Sequence, residues 1–386
     1  MKKSNLLTPE PAKLRNTQVL CTFDRPYSPP ANYTDLFTSS MREIISWHQE
    51  KSKFYSNFLK NLNFNVDKWK GNLDEIPIIP ADFFKLHEIK SVPDEDIVLH
   101  VTSSGTTGQK SQVFFDSWSL GCAQLMVDFI FEEYQWTQLS PANYLLYSYE
   151  PQPNLNLGTS YTDHFLTKYA PPKNLVYALK SNGKSGHDFD LYGCIRALEN
   201  FAEEGLPVRI FGFPAFFYFT IQRMIDLGHK PLKLHPDSLV FLGGGWKSHA
   251  NQEIDKRDFY RLAETQLGIP DKRLRDGFGS VEHSIPYVEC QNHNFHVPIY
   301  SKVIIRDLTS LKDLGYGKQG FLHFLSPYIT SIPAHSIMMG DLAILQPATS
   351  CGCGLTTDWF TILGRAGISK NKSCAIAASE LLRGFS

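Results

Sequence analysis

The sequence contains no hydrophobic run long enough to cross a membrane. Its longest apolar stretch is residues 211–221, well short of the roughly 18 residues that a membrane-spanning helix needs. The first residues, MKKSNLLTPEPAK, begin with two lysines but lack the apolar segment of a secretory signal. We therefore expect a cytoplasmic protein with no membrane span.

The chain also lacks an excess of either charge. Its 38 Lys and Arg residues nearly balance its 39 Asp and Glu residues. Proteins that bind nucleic acid or an anionic membrane normally present a basic excess, so neither partner is expected. Any phosphate that this protein binds should belong to a small ligand.

Cysteine is scarce, at seven in 386 residues, and the odd number does not fit a framework of disulfides. Cys21, Cys122 and Cys194 stand alone, as is typical of reduced and mostly buried thiols. The other four lie in less ordinary surroundings. They are Cys290 in VECQNHNFHVP, Cys351 and Cys353 in SCGCG, and Cys374 near the end of the sequence.

Strand-like and helix-like segments alternate through the middle of the sequence. Strands are predicted in YLLYSY, VRIFGFP and SLVFLGGG, and helices in LYGCIRALENFAEEG and FYFTIQRMIDLG. The alternation predicts an α/β core, and the strand-rich sequence after residue 285 predicts a β subdomain. We divide the chain into a helical N-terminal segment (1–75), a main domain (76–363) and a short C-terminal remnant (364–386).

The stretch HVTSSGTTGQKSQ is a glycine- and hydroxyl-rich loop between two predicted strands, with a helix expected over about 117–134. It is not a Walker A loop, because Gly105 and Gly108 enclose two residues rather than four and Gln109 separates Gly108 from Lys110. Successive backbone N–H groups, hydroxyls and a lysine nevertheless suit the phosphates of a nucleotide. The alternative is a polar surface turn.

Further segments place glycines or a carboxylate at the ends of predicted strands. FLGGGWKS puts Gly243, Gly244 and Gly245 after a strand, where backbone without side chains can lie against a flat ring. DGFGSVEHS carries Glu282, which could hold Mg²⁺, and MMGDLAIL carries Asp341, which could accept from ribose hydroxyls. The third glycine of a dinucleotide fingerprint is missing. Each acid alone would more commonly be a solvated turn residue.

The order of TSSGTTGQKS, LGGG, GFGSVEH, MGDLA and LGR resembles that of the adenylate-forming superfamily of acyl-CoA synthetases. Within it the sequence is most similar to the acyl-protein synthetases of the LuxE family, with phenylacetate-CoA ligases as near relatives. The resemblance covers about residues 75–386. It implies an α/β fold with a large N-terminal domain, a β-rich subdomain and a truncated C-terminal lid. It also implies that ATP and Mg²⁺ convert a carboxylate into an acyl-adenylate.

The resemblance implies roles for individual residues. Adenine would lie against Gly243–Gly245, and Asp341 would bind ribose. Arg365 would contact the nucleotide. Glu282 would hold Mg²⁺ and act in catalysis together with Lys110. The residues expected to cradle the phosphates are Ser103, Ser104, Gly105, Thr106, Thr107, Gly108 and Lys110.

The sequence departs from the acyl-CoA synthetases after Arg365. Those enzymes carry a mobile domain with a lysine that completes adenylation, whereas 21 residues follow Arg365 here. Lys370 and Lys372 are either stand-ins for that lysine or surface charges. The departure counts against transfer to CoA. Cys374 is the expected acyl acceptor, since Ser373 can cap a helix whose dipole favours the thiolate; a small core residue is the alternative.

The spacings C-x5-H at Cys290 and His296 and C-x-C at Cys351 and Cys353 supply three thiolates and one imidazole. This set matches a structural Cys₃His zinc site. The resemblance to phenylacetate-CoA ligases implies that the two segments meet. His293 is the alternative nitrogen ligand, and ordinary thiols in β-turns are the alternative to a metal site.

We therefore expect an ATP-dependent enzyme that activates a carboxylic acid, with a fatty acid as the expected substrate, and passes the acyl group to a cysteine. Its partner would be an acyl-accepting reductase or carrier protein. An aromatic run could line an acyl pocket, although such a run more commonly belongs to the hydrophobic core. Its members are Phe213, Phe216, Phe217 and Phe219. An acyl-CoA ligase of the phenylacetate type and a non-catalytic nucleotide-binding subunit are the alternatives.

Overall fold

The computed structural model describes residues 6–102, 111–151, 165–183 and 186–366. Helices and a hairpin come first along the chain, followed by a mainly parallel sheet and then by a mainly antiparallel sheet. The two sheets and their covering helices share the core of the protein.

The N-terminal helices pack against the antiparallel sheet in one apolar cluster. They are α1 (Arg15–Cys21), α2 (Tyr33–Lys51) and α3 (Lys53–Asn61). The buried face of α2 includes Phe37, Met41 and Ile44, which follow the three- and four-residue spacing of a helix with one apolar side. Ser52 ends α2 and caps α3, because its hydroxyl oxygen accepts a hydrogen bond from the backbone N–H of Tyr55.

Short elements then lead into a hairpin and a long helix. They are β1 (Ile79–Pro80), α4 (Phe83–Leu86), β2 (Ile97–Thr102), β3 (Gln112–Asp116) and α5 (Ser117–Glu133). Strands β2 and β3 pair antiparallel on either side of the glycine-rich loop. The carboxylate of Asp116 accepts from the N–H of Ser119 at 2.8 Å and so begins α5. The strands predicted beside the loop and the helix after it are confirmed.

The mainly parallel sheet follows in sequence. Its strands are β4 (Ala142–Tyr149), β5 (Pro172–Ser181), β6 (His187–Phe189), β7 (Val208–Gly212), β8 (Leu239–Gly243), β9 (Leu274–Phe278) and β10 (Tyr287–Val288). They lie in the order β6-β5-β4-β7-β8-β9-β10. The strands from β5 to β9 in this order run parallel, and β6 and β10 are antiparallel edges.

Helices cover both faces of this sheet, which explains why its central strands β4 and β7 are buried along nearly their whole length. One face packs against α6 (Leu191–Glu204), α7 (Pro214–Asp226) and α8 (Lys256–Leu267). The other face packs against α5 through Ile130 and Phe131. The predicted α/β core is confirmed. None of the helices in the described ranges combines the length and hydropathy needed to cross a bilayer.

The connection from β5 to β7 creates a switch point in this sheet, because β4 lies between these two strands. In open α/β sheets, ligands bind outside the carboxyl ends of the strands at such a point. The carboxyl ends here are Tyr149 of β4, Gly212 of β7, Gly243 of β8 and Phe278 of β9. This carboxyl edge is therefore the expected ligand site.

The predicted strand-rich region after residue 285 is confirmed, and from β11 onward it forms a mainly antiparallel sheet. Its strands are β11 (Phe295–His296), β12 (Lys302–Arg306), β13 (Gln319–Leu325), β14 (Ser336–Gln346) and β15 (Trp359–Arg365). They lie in the order β11-β15-β14-β13-β12, and β1 adds a parallel pairing to the start of β14. The sheet meets the parallel sheet at Phe278, whose ring centroid lies 6.2 Å from that of Phe324 and 6.1 Å from that of Phe360.

Two stacked histidines lie in the core between the N-terminal helices and the antiparallel sheet. The rings of His48 and His335 are 5.2 Å apart and almost parallel. His335 Nε2 is 2.7 Å from the hydroxyl of Tyr55, and His48 Nδ1 is 2.7 Å from the hydroxyl of Ser91. Burial lowers the pKa of His335 to about 3. Burial, with a contribution from His335, also holds the pKa of His48 well below its usual range.

We expect these histidines to make the protein sensitive to acid. Below pH about 6.5, His335 binds a proton in the unfolded state but not in the folded state. The free energy of unfolding therefore falls as the pH falls toward 3. Between pH 7 and pH 5, His335 should account for a loss of about 2 kcal/mol in the free energy of unfolding. Denaturant titration of His335→Gln at both pH values should show a pH dependence smaller by that amount. His87→Gln, at a surface histidine, is the control; equal pH dependence in all three proteins would contradict the prediction.

Candidate functional site

The glycines after β8 leave open backbone at the carboxyl edge. Gly244 and Gly245 are exposed and have φ angles of 78° and 65°, a region that other residues rarely adopt. Gly243 pairs with Gly277 of β9. A Cβ added to Gly277 would lie 2.8 Å from the ring of Phe241, so glycine at this position leaves room for that ring. A flat group can therefore reach the backbone here.

Glu282 lies in the turn between β9 and β10. The turn is closed by the backbone N–H of Ser284, which donates to the carbonyl of Ser280 at 2.7 Å. Glu282 is 6% exposed, and the next residue, His283, is buried against Phe324 with ring centroids 4.4 Å apart. The turn thus holds a carboxylate at the junction of the two sheets.

Asp341 and Arg365 face each other across β14 and β15. They are register partners, and Arg365 Nε lies 3.8 Å from Asp341 Oδ1. Burial raises the pKa of Asp341, the guanidinium of Arg365 opposes this, and the charge of Glu282 raises the pKa further. Three distant parts of the sequence thus place two carboxylates and one guanidinium in a single electrostatic environment.

The remaining residues expected to bind phosphate or accept an acyl group lie outside the described residues. They are Ser103, Ser104, Gly105, Thr106, Thr107, Gly108, Lys110 and Cys374, together with Lys370 and Lys372. The described strands β2 and β3 end on either side of the phosphate-loop candidates.

Of the aromatic side chains that follow β7, some lie in the hydrophobic core and others lie at the carboxyl edge of the sheet. Phe217 is buried in the apolar cluster beneath α7. Phe216 and Phe219 are only partly buried, and each makes an edge contact with the ring of His249, at 5.6 and 5.0 Å. Phe213 lies at the switch point, where its ring is 5.6 Å from that of Tyr149. These aromatic rings offer apolar surface next to the expected ligand site.

A second group of side chains, from two segments of sequence, forms a metal-ligating cluster. One ligand atom from each of Cys290, His296, Cys351 and Cys353 lies within 4.8 Å of all the others. The Sγ atoms of Cys290 and Cys351 are 3.5 Å apart, and Cys353 Sγ lies 3.2 Å from His296 Nε2. The four side chains could hold one metal ion.

The surroundings of this metal cluster orient its ligands. His296 Nδ1 lies 2.7 Å from the carbonyl oxygen of Thr357, so its N–H can donate there and leave Nε2 free for a metal. The side-chain amide of Asn294 donates to Cys351 Sγ at 3.2 Å. His293 is directed elsewhere, with Nε2 3.0 Å from a carboxylate oxygen of Asp271. Geometry therefore favours His296 over His293 as the nitrogen ligand.

Sequence analysis missed a group of charges behind the carboxyl edge. Lys256 Nζ lies 2.5 Å from Glu289 Oε1 and 3.1 Å from Asp276 Oδ2. Burial alone would lower the pKa of Lys256, but the two carboxylates outweigh burial and raise it. One signal was present in the sequence: Lys256 is the first residue of α8, where the helix dipole favours an acid over a base.

Comparisons with known proteins agree with this architecture. A 2-hydroxyisobutyryl-CoA ligase solved in an open conformation with 2-HIB-AMP and CoA matches with a TM-score of 0.65, at 13% identity over 95% of this chain and 82% of the solved one. The same ligase in the postadenylation state with 2-HIB-AMP gives 0.65, at 14% identity over 98% and 77%. The expected fold of the adenylate-forming ligases is therefore confirmed.

Two proteins named long-chain-fatty-acid–luciferin-component ligase are similar along most of their length. The one from Aliivibrio fischeri is 26% identical over 353 residues, covering 89% of this chain and 88% of that protein. The one from Vibrio harveyi is 25% identical over 346 residues, covering 88% and 86%. The family model described as "Acyl-protein synthetase, LuxE" matches residues 28–383. The resemblance seen in the sequence is confirmed, and the chain belongs to the LuxE family of acyl-protein synthetases.

Proposed function

We propose that this ligase uses ATP to activate a fatty acid and transfers the acyl group to a protein thiol. The observation that carries the proposal is the convergence of Glu282, Asp341 and Arg365 where the carboxyl edge meets the antiparallel sheet. The names of the Aliivibrio fischeri and Vibrio harveyi relatives support a long-chain fatty acid as the substrate.

The reaction has two displacement steps. A carboxylate oxygen of the acid first attacks the α-phosphorus of ATP; an O–P bond forms, and the bond to the bridging oxygen breaks as pyrophosphate leaves with the electron pair. A thiolate then attacks the acyl carbon, and AMP leaves with the electron pair of the C–O bond. The first step is needed because oxide is a very poor leaving group, whereas AMP spreads its charge over a phosphate.

We assign Glu282 to Mg²⁺. Carboxylate oxygens are the protein ligands that Mg²⁺ prefers, and Glu282 is buried close enough to Asp341 to raise the pKa of that acid. A nearby cation would relieve this repulsion, so the residues fit the ion. When bound, Mg²⁺ offsets the charge of the leaving pyrophosphate.

We assign Asp341 to the ribose and Arg365 to the nucleotide. Asp341 is 8% exposed, and as a carboxylate it can accept hydrogen bonds from two neighbouring hydroxyls. The side chain of Arg365 is 68% exposed and can reach an anionic group without leaving the vicinity of Asp341. Adenine would lie against the open backbone of Gly244 and Gly245. Lys110 and its loop keep the phosphate-binding role that the family resemblance implies.

The acyl chain would extend from this edge toward the switch point. Phe216 and Phe219 offer partly buried apolar surface there, and His249 packs against both rings. A pocket lined by aromatic side chains is typical of sites that bury an apolar ligand. We therefore place the hydrocarbon chain beside these residues and leave Phe217 in the core.

The metal cluster is proposed to hold zinc in a structural role. Zinc takes three thiolates and one imidazole in tetrahedral sites with Zn–S bonds of about 2.3 Å, and the ligand atoms of Cys290, His296, Cys351 and Cys353 are close enough together to share one ion. A site with four protein ligands leaves no position for substrate. The ion would therefore join the two segments without taking part in the reaction.

Replacing Asp341 tests the nucleotide site. Asp341→Ala should raise the KM for ATP in acid-dependent pyrophosphate exchange by about tenfold or more with a smaller effect on kcat, because ribose contacts are made in both the ground and transition states. Asp313→Ala, which removes an exposed turn carboxylate, should behave like the wild type. A change confined to kcat would contradict the assignment.

Labelled fatty acid tests the acyl acceptor. With ATP and Mg²⁺, the wild type should acquire hydroxylamine-sensitive label, and Cys374→Ala should lose the label while keeping pyrophosphate exchange. Cys194→Ala, at a buried thiol, is the matched control. If label persists in Cys374→Ala, another residue accepts the acyl group and the assignment of Cys374 fails. If CoA accepts the acyl group while the protein does not, the chain acts as an acyl-CoA ligase. If no acid supports pyrophosphate exchange, the alternative that remains is a non-catalytic subunit that binds a nucleotide.

Metal analysis tests the zinc site. Protein purified without chelators should hold about one Zn²⁺ per chain, because four converging ligands bind zinc tightly. His296→Gln should lower this content and His293→Gln should preserve it. Cys351→Ser should mainly lower the thermal stability of the protein and should have a smaller effect on the rate of pyrophosphate exchange. Metal-free wild-type protein that is folded and active would rule the site out.

A further inference from the structure

A partly buried ion cluster adjoins the metal cluster and the carboxyl edge. It consists of Lys256 at the start of α8, Asp276 in β9 and Glu289 just after β10. Glu289 is fully buried, and its Oε1 lies 2.5 Å from Lys256 Nζ. The same ammonium group is 3.1 Å from Asp276 Oδ2. Lys256 is thus the cation that two acids share.

The second oxygen of Glu289 ties the strands together. Glu289 Oε2 accepts from the backbone N–H of Asp276 and from the hydroxyl of Tyr260, both at 2.9 Å. In return, the backbone N–H of Glu289 donates to the carbonyl of Asp276 at 3.1 Å. A side chain and two backbone groups therefore fix the relative position of β9 and β10.

These contacts lie close to two proposed sites. Cys290, a member of the metal cluster, directly follows Glu289 in the sequence. In the other direction, the hairpin of β9 and β10 leads to the turn that carries Glu282. Gly277, next to Asp276, also pairs with Gly243 of β8, where the glycine-rich edge begins. A shift of β9 against β10 would thus move both Glu282 and the adenine-facing backbone.

The position of Lys256 in its helix supports a role outside that helix. A cation in the first turn is unfavourable with respect to the helix dipole, so the lysine does not serve the stability of α8 itself. Glu289 is fully buried, whereas the side chain of Lys256 is 42% exposed. Removing the lysine therefore takes the nearest positive charge from a buried carboxylate, which is destabilising. Without Lys256, the buried carboxylate of Glu289 would lose its closest cation and would keep the donors on its second oxygen, with His293 Nδ1 3.5 Å away.

We propose that Lys256 is a positioning residue that holds the metal cluster and the nucleotide edge in one register. It acts through Glu289 and Asp276 and does not touch the reacting atoms. The inference rests on the proposed function, since it concerns the same nucleotide site.

The experiment compares Lys256→Met with Lys256→Arg and with Lys173→Met. Lys173 lies 2.5 Å from Glu204 near the opposite edge of the sheet, so its replacement controls for the loss of a lysine ion pair. Lys256→Met should raise the KM for ATP by about tenfold and speed the loss of metal to a chelator, because the buried carboxylate of Glu289 loses its closest cation. Lys256→Arg should restore both properties in large part, and Lys173→Met should change neither.

A purely structural lysine would give a different pattern. Lys256→Met would then unfold at a lower temperature, but its KM for ATP well below that temperature and its rate of metal loss would equal those of the wild type. That result would overturn the proposal, as would a Lys256→Arg variant as impaired as Lys256→Met. If Lys256→Met does not fold, Tyr260→Phe removes a neutral donor to Glu289 and should raise KM by about threefold; an unchanged KM would then overturn the proposal.

Failure of the proposed function would look different again. If the wild type catalyses no pyrophosphate exchange, the adenylation proposal fails, and ATP affinity is measured by equilibrium binding instead. A weaker ATP affinity together with faster metal loss in Lys256→Met would still support the positioning role, and equality with the wild type would still refute it.

Discussion

The contact of Phe278 with Phe324 and Phe360 is the interaction on which the site depends. Phe278 is the last residue of a parallel strand, and its two partners belong to the antiparallel sheet. Aromatic packing at this point sets the distance and angle at which one sheet ends against the other. The turn with Glu282 begins immediately after Phe278. The same packing therefore places the carboxylate of Glu282, at the end of the parallel sheet, near Asp341 of the antiparallel sheet.

The chemistry proposed for this junction needs groups that are in place before the substrate arrives. Electrostatic stabilisation is most effective when charges and dipoles do not have to reorganise during the reaction. Here Asp341 and Arg365 are neighbours in paired strands, and Glu282 is held in a closed turn. These three charges are thus carried by strands or by the turn of a hairpin anchored between two sheets.

Local patterns in the sequence were sufficient to predict most of the described elements, whereas the roles of the site residues rested on the family resemblance. Periodicity predicted the α/β core and the later strands, and glycine-rich turns marked the strand ends. Sequence spacing could not choose between His293 and His296, because the choice depends on Asp271 and Thr357, which lie far from both histidines in sequence. The role of Lys256 as a shared cation could not be predicted from the sequence for the same physical reason. Its acidic partners become its neighbours only when three separate elements pack together.

The pairing of β1 with β14 also bears on how the chain can be divided. β1 and β15 lie along the same edge of β14, β1 beside Ile337 and Met338 and β15 from Asp341 onward. A truncated protein that began after residue 80 would expose unpaired backbone groups on the strand that carries Asp341, and would uncover the apolar surface beneath α2. Exposed strand edges of this kind recruit other chains. The segment that contains β1 therefore protects the edge of β14 from self-association, and a shortened version is expected to aggregate rather than simply lose activity.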